Sequence, residues 1–128
     1  MSSLRYIERC TGANHDGPAW ISYVEESKSG QSVYFNDLGL VRSRNRGGAE
    51  NFTDMETGES YWASGIKQRG TNRHCAGSGS ITIEKAAVRG FLDLIGEADL
   101  APKRFAICDE FARTDRARLY DFENRRLS

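Results

Sequence analysis

Two short stretches of this chain bring reactive side chains together. His15 and Asp16 adjoin in a loop with Gly17 and Pro18, just ahead of an apolar run, and Arg73, His74 and Cys75 follow a glycine turn. A histidine beside an acid has the makings of a general base with an orienting carboxylate. An arginine beside a histidine offers a planar fork and a second donor to a phosphate or carboxylate. Each pair also has a plainer reading. Asp-Gly-Pro is ordinary turn chemistry, and Arg and His commonly bond turn carbonyls. A Cys/His nucleophile is disfavoured because neighbours on a strand point to opposite faces. His15 and His74 are the only histidines. Convergence of their loops would create one anion-recognising site from His15, Asp16, Arg73 and His74. Two His and one Asp without a spacing rule do not define a metal centre. No P-loop and no dinucleotide fingerprint occurs. No metal or cofactor is therefore expected.

The aromatic residues form a second set: Trp20, Tyr23, Tyr34, Phe35, Phe52, Tyr61 and Trp62. On a small curled sheet about half of them face the core, and the others can line a groove for a peptide, a methylated cation or a stacked base. Tyr61 and Trp62 are adjacent, so a regular strand turns one of them outward. Trp20, Tyr61 and Trp62 are accordingly candidate contacts for a partner. Arg42, Arg44 and Arg46 alternate with small or polar residues and would share one side of an extended segment. With Lys67 and Arg69 they form a basic patch for phosphates or an acidic partner, although a solvated loop is the commoner meaning.

These residues must be positioned by a single domain, 1–128. Hydrophobic residues make up 38% and charged residues 28%, in keeping with a globular chain. Lys plus Arg and Asp plus Glu each number 18, for a net charge of zero. That balance argues against a non-specific nucleic-acid coat, which needs a basic footprint. Three widely spaced cysteines without a CxxC pair read as reduced thiols. The N-terminus lacks an apolar run of signal-peptide length, and no later segment approaches a membrane span. The expected compartment is the cytoplasm, with no membrane partner.

Thirteen glycines and two prolines punctuate short apolar-aromatic runs, the signature of strands and turns. Strands are expected at 5–10, 19–27, 32–36, 40–43, 52–55 and 60–67, with a further one near 73–76. Val88, Phe91, Leu92 and Ile95 then recur as one helix face, and Gly96 stops it. Gly90 inside that helix marks close packing on the sheet. A strand within 103–111 is favoured over a helix. Thr114 and Asp115 then open a short C-terminal helix that buries Leu119 and Phe122. The fold class is α+β: a small twisted antiparallel sheet, a meander able to curl into a partial barrel, covered by one helix at about 84–95.

The segments "DGPAWI", "ETGESYWASGIKQRGTNRH" and "ITIEKAAVRGFLDLIG" resemble those of a group of small bacterial proteins of about this length. "LAPKRFAICDEFARTD" and "LYDFENRRL" resemble that group's ending more loosely. Members are sometimes labelled deoxyxylulose-phosphate synthase. That label does not suit this chain, because such an enzyme is a large thiamine-diphosphate protein. The resemblance implies a bacterial, cytosolic origin and brings no activity with it. Where similar sequences carry an aromatic, this one has Cys75.

The sequence thus favours a non-enzymatic binding module with a protein partner, such as a small immunity-type protein. A ligand binder or enzyme built on the His15 and His74 loops is the alternative. Contact with single-stranded nucleic acid through the arginine patch is the third reading. An exposed aromatic sheet face would also suit a homodimer.

Overall fold

The computed structural model describes residues 2–10, 18–43, 51–66, 81–100 and 103–127. Among the described residues, eight strands form one sheet: β1 (Ser2–Arg9), β2 (Ala19–Glu26), β3 (Ser32–Phe35), β4 (Leu38–Arg42), β5 (Phe52–Asp54), β6 (Ser60–Ser64), β7 (Ile81–Glu84) and β8 (Phe105–Cys108). Their order is β1-β6-β5-β4-β3-β2-β7-β8, and β1 also pairs with β2. That pairing, from Ser2 opposite Glu25 to Glu8 opposite Ala19, closes the first six strands into an antiparallel barrel. A meander would leave a free edge at each side, and closure removes both.

Turn chemistry sets the hairpins. Asn36 and Asp37 have φ of 47° and 61°, so the β3–β4 connection is a two-residue turn of left-handed residues. Asn and Asp tolerate that region best among residues with a Cβ. Between β5 and β6, Asp54 Oδ1 accepts the Glu56 N–H at 2.8 Å, and Gly58 supplies a φ of 79°.

Alternation along the strands sorts two cores. Ile7, Val24, Val33, Phe35, Leu40, Phe52, Tyr61 and Ala63 fill the barrel, with Trp20, Leu38 and Phe111 packed against them. The interior is thus solid with side chains, as expected for so few strands. The opposite face of β1 and β2 carries Tyr6, Ala19 and Ile21, joined by Ile81 and Ile83 of β7. A 3₁₀ turn (Lys85–Ala87) and helix α1 (Val88–Ile95) cover it, and Phe91 inserts at 1% exposure. Gly96, at a φ of 74°, terminates α1 with its N–H bonded to the Leu92 carbonyl. A Cβ on Gly90 would run into the Tyr23 hydroxyl, so that glycine does mark a close approach to the sheet.

Three features correct the sequence reading. One helix is not the whole cover. Helix α2 (Arg116–Leu127) buries Leu119 completely against Tyr34 and Met55, with Val41 and Phe122 beside them. A closed barrel has an apolar outer face in more than one direction, so a second layer is needed. The sheet is also not antiparallel throughout, because β7 runs parallel to β2 and β8 parallel to β7. The last helix is capped one residue later than expected. Asp115 Oδ1 accepts the N–H groups of Ala117 and Arg118 at 3.1 and 3.3 Å, while the Thr114 hydroxyl donates to the Leu38 carbonyl at 3.1 Å. The strand expected near 73–76 lies outside the described residues.

Candidate binding cleft

The sheet forks at β2. Its neighbour is β7 at Trp20 and Ile21, and β3 at Glu25 and Glu26. Between these registers, Ser22 to Val24 pair with neither. The chain from 109 to 115 crosses this gap on its way from β8 to α2, and leaves a cleft of about 470 Å³. Its lining draws on Ser22, Tyr23 and Glu25 of β2, the end of β3 at Tyr34 to Asn36, Glu84 of β7, and the strap from Glu110 to Thr114 with Arg116.

Glu84 fastens this strap to the fork. One carboxylate oxygen accepts the Ser22 hydroxyl at 2.9 Å, and the other accepts the Phe111 N–H at 2.8 Å. Alternation from Ile83, which faces α1, aims Glu84 at the opposite side. Phe111 then plugs the barrel mouth. Its ring meets Phe35 edge-on at 6.2 Å, Phe35 meets Trp20 at 5.5 Å, and Trp20 stacks on Tyr61 at 6.4 Å. The far end of the strap is held by charge. Arg118 donates to Asp37 Oδ1 and to the Asp37 carbonyl, both at 2.8 Å, and its fork also reaches both oxygens of Glu56. The Asp115 N–H and Arg118 hold the Asp37 carboxyl below its usual range. Arg116 lies 4.1 Å over the Tyr34 ring and also donates to its hydroxyl.

What the cleft offers a visitor is therefore limited and specific. Both oxygens of Glu84 are committed to structural bonds. Glu25 and Glu110 are exposed acids of the lining, and Tyr23, whose hydroxyl reaches Gly90 of α1, is 45% exposed. Two exposed cations also line the cleft: Arg113, and Arg116, which is engaged with Tyr34. Two exposed acids suit a polar or basic side chain.

Of the residues singled out in the sequence, His15, Asp16, Arg44, Arg46, Lys67, Arg69, Arg73, His74 and Cys75 lie outside the described residues. Trp20 is half-buried in the barrel, and Tyr61 is buried there at 3% exposure. Burial, with a smaller contribution from Glu59 and Asp54, pushes the Tyr61 hydroxyl up to about 12. Trp62 is the outward member of the pair, half-buried opposite Glu8 and packed against the core under α1. Arg42 is exposed, stands 5.1 Å over the Phe52 ring, and donates to the Gly30 carbonyl at 3.2 Å. Cys108 is a free thiol, whereas Cys10 is disulfide-bonded, which corrects the expectation of three reduced cysteines.

Sequence reading also passed over two acids. Glu8 is fully buried and accepts the Tyr6 hydroxyl. Glu84 closes the fork. Each holds an alternating position on its strand, and that position was the available signal. Among the described residues no three His, Cys, Asp or Glu side chains gather as metal ligands, and no helix is long and apolar enough to cross a membrane. No family model, curated protein or solved structure matches this chain.

Proposed function

We propose that the protein is a non-enzymatic binding module that engages a protein partner through the cleft at the β2 fork. The observation that carries this reading is the division of labour among the cleft acids. Glu84 is spent on Ser22 and the Phe111 N–H, while Glu25 and Glu110 stand exposed in the cleft lining. Such an arrangement recognises a basic side chain; the one hydroxyl bonded to a cleft carboxylate, that of Ser22 on Glu84, is only 2% exposed and so is closed to a substrate. The filled barrel interior supports the same reading, since a ligand must then bind outside it. An immunity-type role, in which the partner is neutralised by occlusion, fits a small rigid barrel of this kind.

The test is affinity capture from the source organism with the native chain and with Glu25→Arg/Glu110→Arg. Both substituted positions are exposed, so the melting temperature should be unchanged. A partner held by the native chain and lost by the variant supports the reading. Equal retention by both, or recovery of no partner, removes it.

A further inference from the structure

We infer that β8 is a self-complementary edge through which two copies of this chain pair antiparallel, extending the sheet across a two-fold axis. The barrel hides its own edges, and β8 is the margin of the sheet among the described residues. It pairs with β7 on one side only. The Ile81 N–H donates to the Arg104 carbonyl at 2.8 Å, so the parallel register directs the N–H and C=O groups of Phe105 and Ile107 to the outer side. Ile107 is 59% exposed, the most exposed aliphatic side chain described. An open row of backbone donors and acceptors beside an exposed apolar side chain is a template for another strand.

The flanking charges choose the occupant. The strand reads Lys103, Arg104, Phe105, Ala106, Ile107, Cys108, Asp109, Glu110, basic at its start and acidic at its end. A parallel neighbour of the same sequence would set like charges side by side. An antiparallel copy sets unlike charges side by side. Two-fold symmetry about an axis normal to the sheet requires that opposed residues share a face, so their numbers differ by an even count. The register that opposes the two Ile107 side chains meets this condition. It opposes Ala106 with Cys108 of the second copy, and brings the basic Lys103–Arg104 end of each strand toward the acidic Asp109–Glu110 end of the other. Ile107 then exchanges both backbone hydrogen bonds with its counterpart, and Ala106 and Cys108 fall at the closer, non-hydrogen-bonded positions. Four residues make a small contact, so the association belongs with weak and salt-sensitive interfaces rather than obligate dimers. Glu110 belongs to both the cleft and this pairing, so the cross-link between positions 106 and 108, which touches no cleft residue, is the test that stands apart from the proposed function.

Cross-linking reads the register directly. Ala106 is exposed, so Ala106→Cys is tolerated and places a thiol opposite Cys108 of the second copy. Mild oxidation should convert Ala106→Cys to a covalent dimer at least about tenfold faster than the native chain or Ala106→Cys/Cys108→Ser, with peptide mapping locating the 106–108 link. Sedimentation of the native chain should show a dimer fraction that falls as salt is raised. Ile107→Lys should abolish it, and Arg104→Glu/Glu110→Arg should restore what Arg104→Glu loses. Absence of the covalent dimer, or equal cross-linking of all three chains, overturns the inference. So does a native chain that sediments as a monomer at every concentration and salt level.

Discussion

Gly39 tests whether α2 is a packed layer or a loosely attached tail. The glycine sits on β4 opposite Tyr34, under Leu119. A Cβ there would collide with Leu119 Cδ1 and lie 3.1 and 3.3 Å from the Met55 side chain. Leu119 is 0% exposed and Met55 7%, so neither can swing into solvent. Overpacking of this kind costs about 1–3 kcal/mol. Reduced freedom of the unfolded chain returns about 0.4–1 kcal/mol. The net loss for Gly39→Ala is then about 1–2 kcal/mol. At roughly 3–5 °C per kcal/mol for a chain of this size, the melting temperature should fall by about 3–10 °C. Gly90→Ala is the control. Its Cβ meets only the tip of Tyr23, which is 45% exposed and can move aside, and helix propensity gains about 1 kcal/mol. It should melt at or above the native temperature. Leu119→Ala alone should cost about 2–5 kcal/mol. Combined with Gly39→Ala it should cost less than the sum by at least about 0.5 kcal/mol, because the new methyl occupies the vacated space. Thermal and urea unfolding followed by circular dichroism measure all four. A Gly39→Ala chain that melts like the native one, or strictly additive losses, would refute the packing argument.

Other consequences follow from single side chains. Glu84→Ala strips the Ser22 hydroxyl and the Phe111 N–H of their acceptor, at a cost of about 1–3 kcal/mol. Hydrogen exchange at the Phe111 amide should accelerate strongly in that variant, while exchange within β4 stays slow. Tyr61 is held protonated by burial, so its contribution is intact below pH 10 and is lost as the pH rises toward 12. Ultraviolet titration should show a late tyrosine, missing in Tyr61→Phe. Glu26 is held below its ordinary value, first by the Ser3 hydroxyl at 2.6 Å and then by Arg5 at 2.9 Å, against an opposing effect of burial. Its stabilisation is present above pH 4.5 and declines as the pH falls through the lowered value, so Glu26→Gln should flatten the acid limb of a stability–pH curve. Cys108 should be alkylated without reductant, and Cys10 only after reduction, as read by peptide mass.

Local physics wrote much of this fold into the chain. Alternation at Trp20, Ser22 and Val24, the Asn-Asp and glycine turns, and the Val88–Ile95 periodicity each depend on neighbours a few residues away, and each set its element within a residue or two. The apolar pair Leu119 and Phe122 likewise marked the last helix as a packed one. Sequence also established that Tyr61 and Trp62 must part, one inward and one outward. Which of them faced the barrel interior depended on the seam between β1 and β6, a contact across more than fifty residues. The same distance separates Ser22 from Glu84 and Asp37 from Arg118, whose bonds build the cleft. Barrel closure, the parallel course of β7 and β8, and the burial of Glu8 belong to this class. They arise from pairing between remote segments, and no local pattern encodes which remote segment a strand will find.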